Sequence, residues 1–287
     1  MAPSELSVGA VVRFSFERRT REAPESPQPR GLLTTMQSLR ILLTNDDGVY
    51  ADGLYAAWQA LENAGHDVFV CVPDRPRSAC SHQITMHKPL RVKPIETRVG
   101  LAHACNGTPA DCVPLAILQL MKAPPDLVVS GINLGPNLGD DVHYSGTVGG
   151  AMEGVLNGFK AIAISLVAHE KPQWEGAAQF LAGFVCNAVA LDLPPDTFLN
   201  VNVPNLNPTQ LKGARATSQG SRRYKGDISR HNTPVQGEYF WRGGEVIDRA
   251  ESDDADVVVV KDGWISVTPL HVDLTRRDAL ERVANVL

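Results

Sequence analysis

Paired cysteines are missing from this chain: Cys71, Cys80, Cys105, Cys112 and Cys186 form an odd set of five with no C-x-x-C spacing. That argues against a disulfide framework or a structural zinc site, and the thiols read as small core residues in a reducing, cytoplasmic setting. No apolar run approaches membrane-spanning length, so no membrane partner is expected. Net positive charge is also lacking, and a formal charge of -5 gives no electrostatic footprint for a nucleic-acid polymer. The eight histidines show neither H-x-x-x-H nor H-E-x-x-H spacing, and no G-x-G-x-x-G follows the first strand. Histidine-based metal sites and the dinucleotide fingerprint therefore drop out. No internal repeat is evident.

What is present is the composition of a soluble globular protein, 43% apolar and 21% charged over 287 residues, with ample length for a sizeable core. Residues 1–35 stand apart, mixing Arg, Glu and Pro without apolar period, and read as a disordered, dispensable extension. From Met36 a βα rhythm sets in, which predicts a Rossmann-like, mostly parallel sheet with helices on both faces over residues 36–209. Residues 210–287 read as a β-rich arm, a strand pair over 257–260 and 264–269, and a terminal helix over 275–286, together serving oligomerisation. Phe198 to Val203 reads as the last strand of the sheet, Gln83 to Val92 as a short hairpin, and Tyr239 to Ile247 as another hairpin-like piece.

The chain is organised around LRILLTNDDGVYADG, Leu39 to Gly53. A buried apolar strand stops abruptly at Asn45-Asp46-Asp47-Gly48, at the carboxyl edge where open α/β sheets place their ligands. Asn-Asp-Asp-Gly is good turn chemistry in its own right. Two adjacent carboxylates repel each other, however, unless something positive sits between them, and a hard divalent cation is the simplest candidate. Three further stretches reach the same edge: Asp74 to Ser81, the helix start at Asn106-Gly107-Thr108-Pro109, and the Gly-rich loop Gly131 to Gly146. Together they offer a serine hydroxyl, asparagine carbonyl oxygens and backbone N–H groups. Ser145-Gly146-Thr147 is a Gly-rich loop running into a helix, which makes an anion site. Asp140-Asp141 is a second acidic pair that reads as a solvated turn. Arg222, Arg223 and Lys225 read as a solvated basic face. Arg75 and Arg77 fit either a phosphate or Asp74.

The segments LLTNDDGVYADG, VPDRPRSACSHQIT, NGTPADCV and PDLVVSGINLGPNLGDDVHYSGTVGGAMEG, with the AIAIS strand after them, resemble the stationary-phase survival protein (SurE) family of nucleotidases. The resemblance implies a metal-dependent phosphomonoesterase acting on nucleoside 5′- and 3′-monophosphates, with exopolyphosphatase activity in some members. It implies one divalent ion per subunit, Mg²⁺ or Mn²⁺, on Asp46, Asp47, Ser78 and Asn133. It also implies phosphate-side roles for Asn106, Ser145, Gly146 and Thr147, and a homodimer or homotetramer built through C-terminal segments. Asp46 or Asp47 would double as the catalytic base. A metal-and-nucleotide sensor without turnover is the rival reading. A phospho-acceptor receiver domain would need about half this length and a Lys where Ser130-Gly131-Ile132-Asn133 stands.

Overall fold

A computed structural model describes residues 38–287 apart from 227, 235, 236, 250 and 251, so the expected disordered extension lies outside the described residues. The strands in chain order are β1 (Arg40–Thr44), β2 (Asp67–Pro73), β3 (Val92–Glu96), β4 (Leu101–Cys105), β5 (Leu127–Leu134), β6 (Ala161–Val167) and β7 (Thr197–Pro204). They continue with β8 (Ala214–Ala216), β9 (Ser221–Lys225), β10 (Ile228–Thr233), β11 (Gly237–Arg242), β12 (Glu245–Arg249) and β13 (Ile265–His271). The α-helices are α1 (Asp52–Asn63), α2 (Pro109–Leu115), α3 (Gly146–Leu156), α4 (Trp174–Ala190), α5 (Asp256–Lys261) and α6 (Leu280–Ala284).

Nine strands form one mixed sheet in the order β3-β4-β2-β1-β5-β6-β7-β13-β8. The run from β4 to β7 is parallel, while β3 and β13 pair antiparallel with their inner neighbours. Both faces of the central strand are covered, and Ile41, Leu42 and Leu43 are wholly buried. That is why β1 reads as a continuous apolar run rather than an alternating one. On one face, α1 and α4 bury Leu54, Trp58, Leu61, Ala177, Leu181 and Val185 against Ile41, Leu43 and Val129. On the other, α2 and α3 bury Cys112, Val113, Val148 and Ala151 against Leu42 and Val128. Full burial of each large aliphatic side chain is worth about 1.5–3 kcal/mol, so these two layers supply most of the driving force.

Local signals set the helix ends. Gly65, at φ +87°, follows α1 as the left-handed residue that closes it. At α2 the Thr108 hydroxyl accepts from the Asp111 N–H at 3.2 Å and the Asp111 carboxylate accepts from the Thr108 N–H at 2.8 Å, a reciprocal capping box with Pro109 at the first helical position. Ser145 caps α3 by accepting from the Val148 N–H at 3.0 Å.

Several expectations are corrected. The hairpin falls on β3 and β4, joined by a turn in which the Thr97 N–H donates to the Gly100 carbonyl. Residues 83–91 form no strand, because the alternating Ile84 and Met86 are 54% and 83% exposed and bury nothing. β7 is not the last strand, since β13 pairs with it and β8 pairs with β13. Val257 to Val260 is helical, within α5, where Val257 and Val260 bury against Leu138 and Ala255. A short apolar run is ambiguous between helix and strand until its packing partners are known. The terminal helix shrinks to α6, preceded by a 3₁₀ turn over Arg277–Ala279. Tyr239 to Ile247 spans two strands that pair elsewhere: β11 with β10, and β12 with β9. The two ladders share one register, Lys225 opposite Glu245 and Ile228 opposite Arg242, so two short two-stranded sheets succeed one another along the same pair of segments as a ribbon.

Candidate active site

The chain runs from β1 outward through β2 to β4, then returns to the opposite side of β1 with β5. The strand order reverses between β1 and β5, and the carboxyl ends of those two strands form the crevice where open α/β sheets bind ligands. Asn45 to Gly48 leaves one of these ends, and Asn133 lies near the other.

Asn45 shapes the turn that presents the two aspartates. Its amide donates to the Gly48 carbonyl at 3.0 Å and its Oδ1 accepts from the Gly48 N–H at 3.1 Å. Gly48 needs to be glycine, since it sits at φ +91° and a Cβ there would come within 2.9 Å of the Arg75 backbone. The Arg77 N–H donates to the Asp46 carbonyl at 2.7 Å, which brings the loop carrying Ser78 against the turn. Asp46 is 4% exposed, and one carboxylate oxygen accepts from the Thr147 hydroxyl at the start of α3. Asp47 accepts from the Leu134 N–H at 3.1 Å, which ties it to the end of β5. Gly146 abuts Asp46 closely: a Cβ on it would meet Cys80 Sγ at 2.7 Å and Asp46 Cβ at 2.8 Å.

Burial pushes the Asp46 carboxyl up to about 6, with the neighbouring Asp47 charge adding to the rise and the Thr147 hydroxyl opposing it. Burial also raises Asp47, against the Leu134 N–H. Among the described residues neither carboxylate has an ion-pair partner. The Asn133 amide donates to the Gly135 carbonyl at 2.9 Å, and among the described residues no donor engages its Oδ1 or the Ser78 hydroxyl. Asp46, Asp47, Ser78 and Asn133 all line one cleft of about 540 Å³. Buried, uncompensated carboxylates beside unengaged neutral oxygens fit a hard divalent cation, and these four residues would hold it. Among the described residues no group of three or more His, Cys, Asp or Glu side chains is suited to a metal, and this site, with two carboxylates and two neutral oxygens, is not such a group either.

Ser145 lines the same cleft. Thr147 is fully buried with its hydroxyl on Asp46. Asn106 is not among the residues lining the cleft. Its side chain accepts from the Arg91 N–H at 2.8 Å and donates to the Pro89 carbonyl at 3.3 Å, while its own carbonyl receives Arg77 at 2.7 Å. Arg77 also pairs with Asp74 at 3.4 Å.

The second acidic pair and Arg222 are joined, which corrects the solvated reading for Asp140, Asp141 and Arg222, while Arg223 and Lys225 are exposed. Asp140 accepts from the Ser221 hydroxyl at 2.8 Å and the Arg222 N–H at 2.9 Å. Asp141 accepts from the Tyr224 hydroxyl at 2.7 Å and faces Arg222 at 3.4 Å. The Arg222 guanidinium grips Asp248 with both ends, at 2.7 and 3.1 Å.

Sequence reasoning passed over the support of the cleft wall. Asn137 is held from β7 and β6: its N–H donates to Asn202 at 2.8 Å, its amide to Ser165 at 2.7 Å, and its carbonyl receives Asn200 at 2.9 Å and Asn202 at 3.0 Å. Two asparagines at alternate positions of an otherwise apolar strand were the available signal. Asp256 was also passed over. Fully buried, it accepts from the N–H groups of Gly139, Gly220 and Val257.

The chain is similar to known proteins. The survival protein SurE family matches residues 41–226. A protein of Heliobacterium modesticaldum named 5′-nucleotidase SurE is 45% identical over 251 residues, covering 87% of this chain and 92% of that protein. One of the same name from Gloeobacter violaceus is 48% identical over 240 residues, covering 83% and 91%. The crystal structure of a SurE protein from Aquifex aeolicus superposes with a TM-score of 0.74 at 37% identity, covering 86% of this chain and 99% of that one. With the family match spanning more than half of its length and the identity sustained across nearly all of the relatives, this chain belongs to the SurE family.

Proposed function

We propose that the chain is a divalent-metal-dependent 5′-nucleotidase, hydrolysing nucleoside 5′-monophosphates to nucleoside and phosphate. The observation that carries this reading is the convergence of Asp46, Asp47, Ser78 and Asn133 on one cleft at the sheet's switch point. The names of the Heliobacterium and Gloeobacter relatives support it. Nucleoside 3′-monophosphates and polyphosphate ends are the wider substrate range, since both present the same terminal phosphoryl group. One Mg²⁺ or Mn²⁺ per subunit is the proposed cofactor.

A cation held by the four residues would supply positive charge to the phosphoryl oxygens and polarise the attacking water. The chain's own groups do the rest. Thr147 orients Asp46, and the Leu134 N–H orients Asp47, so neither carboxylate has to reorganise during reaction. Asp47 is only half-buried whereas Asp46 is 4% exposed, which leaves Asp47 the better placed of the two to take a proton from water. The start of α3 at Ser145-Gly146 turns its helix dipole toward the cleft and favours the phosphate there.

Phosphate release from a panel of nucleoside monophosphates, with chelator and then with Mg²⁺ or Mn²⁺ added back, tests this. Turnover should vanish with chelator, return with metal, and fall at least a hundredfold in Asp47→Asn. Binding of nucleotide and Mn²⁺ without phosphate release would favour the sensor reading and overturn the enzyme.

A homodimer or homotetramer is part of the same proposal. Phe240 and Trp241 on the ribbon are 58% and 64% exposed, and aromatic patches of this kind mark contacts. Deleting residues 230–249 should give a smaller particle in light scattering, and a wild-type mass of one 31.0 kDa chain would refute assembly.

A further inference from the structure

The cleft extends well past the four oxygen donors. At about 540 Å³ it falls in the range of sites that enclose a whole small molecule, whereas a phosphoryl group alone fills a small part of it. Its far wall is the ribbon, which contributes Tyr224, Arg242 and Val246, and Tyr144 stands beside it. The ribbon is fastened there. Asp140 and Asp141 hold Ser221, Arg222 and Tyr224, while Asp256 holds Gly139 and Gly220 through their N–H groups. These attachments fix the β9 strand of the ribbon at the cleft.

Two side chains on this wall have unspent recognition chemistry. The Arg242 guanidinium lies 5.5 Å from the centroid of the Tyr144 ring, and Tyr144 is 51% exposed. Among the described residues Arg242 has no ion-pair partner and the Tyr144 hydroxyl has no hydrogen-bond partner. A planar cation facing an aromatic ring, both open to the cleft, is a platform for a third flat π-system. Stacking of this kind tolerates any base, because every base has a π-face.

We propose that Arg242 and Tyr144 form the nucleobase subsite, so that the ribbon and the loop before α3 together distinguish nucleotides from other phosphate esters. The inference rests on the nucleotidase reading and deepens it. Purine nucleotides, with the larger π-face, are the better substrates for such a platform. The phosphoryl end remains with the residues at the ends of β1 and β5.

Steady-state kinetics on a purine nucleoside 5′-monophosphate and on ribose 5-phosphate, which keeps the sugar phosphate and lacks the base, test it in the metal-loaded full chain. In the wild type the nucleotide should be preferred in kcat/KM. In Arg242→Ala and Tyr144→Ala that preference should fall about tenfold, mainly through KM for the nucleotide. Arg242→Lys, which keeps the charge and loses the plane, should lose as much as Arg242→Ala. Equal losses on both substrates, an unmoved preference, or full rescue by lysine would each overturn the subsite. A wild type that hydrolyses the nucleotide no better than ribose 5-phosphate would sink the subsite and leave the phosphatase standing. Hydrolysis of neither would remove the nucleotidase reading itself.

Discussion

Asp46→Asn in metal-stripped protein is the sharpest probe of how the aspartate pair is built. In the folded chain burial holds the Asp46 carboxyl at about 6, against 3.8 for an ordinary aspartate. The folded state thus binds this proton more tightly than the unfolded state does. The associated stability is fully present below pH 3.8 and is lost as pH rises through about 6. The interval is about 2 pH units, and at 1.36 kcal/mol per unit the wild type forfeits roughly 3 kcal/mol by pH 7. For a chain of this size 1 kcal/mol moves Tm by about 2–4 °C, so the effect is roughly 6–12 °C. The asparagine variant carries no such proton. Any pH-independent offset it introduces cancels when its Tm minus that of the wild type is compared between pH 4.5 and pH 7.5. That difference should widen by several degrees in favour of the variant, by circular dichroism melting in chelator. Saturating Mn²⁺ should then raise the wild type at pH 7.5 and do far less for the variant, because a ligand that binds only the folded state stabilises it by mass action. Parallel Tm profiles, differing by a constant within about 1 °C, would refute the claim that Asp46 is a buried carboxylate awaiting a cation.

Two further substitutions test neighbouring claims. Asp256→Asn exchanges one of two oxygens that together accept three N–H groups for a donor, so at least one buried N–H is orphaned. A loss of about 2–4 kcal/mol in urea unfolding is expected, and a loss under about 0.5 kcal/mol would mean that Asp256 does not anchor the ribbon. Gly146→Ala places a Cβ 2.8 Å from Asp46 Cβ, so the carboxylate must shift. Displacement on that scale should lower kcat/KM about a hundredfold and weaken Mn²⁺ binding in titration calorimetry, whereas near-normal values in both would show that the contact is soft.

The parts of the fold that could be read from the sequence are those whose causes are local. β1 shows as an apolar run because both its faces are covered, and the start of α2 shows because Thr108, Pro109 and Asp111 are neighbours in sequence. The carboxyl edge is equally legible, since Asn45 shapes its turn from within it. The ribbon was opaque for the opposite reason. Nothing near Tyr239 announces that its partner is His231, or that Glu245 lies opposite Lys225. Val257 to Val260 looks like a strand by composition, and its helical form depends on Leu138, more than a hundred residues earlier. Asn106 illustrates a third case: a side chain close in sequence to a helix start, whose hydrogen bonds are consumed by Arg91 and Pro89 away from the cleft.

The chain carries two adjacent aspartate pairs, and the difference between them explains why one is a metal candidate and the other is not. Asp140 and Asp141 are answered from within the chain. Arg222, Arg223, Tyr224 and Ser221 supply donors or charge, and the outcome is a fixed turn against a fixed ribbon. Asp46 and Asp47 receive a hydroxyl and backbone N–H groups but no cationic side chain, so part of their charge stays unmatched inside the protein. Burial raises Asp46, Asp47 and Asp141 alike, but at Asp141 the Tyr224 hydroxyl and Arg222 oppose the rise, whereas at Asp46 the Asp47 charge adds to it and, among the described residues, no cation opposes it. That cost of burial persists unless a cation from solution removes it. Sequence alone treats the pairs alike, as two DD dipeptides in Gly- and Asn-rich turns. What separates them is whether the counter-charge is encoded elsewhere in the chain, and the sequence separation of 81 from Asp141 to Arg222 hid that from any local reading.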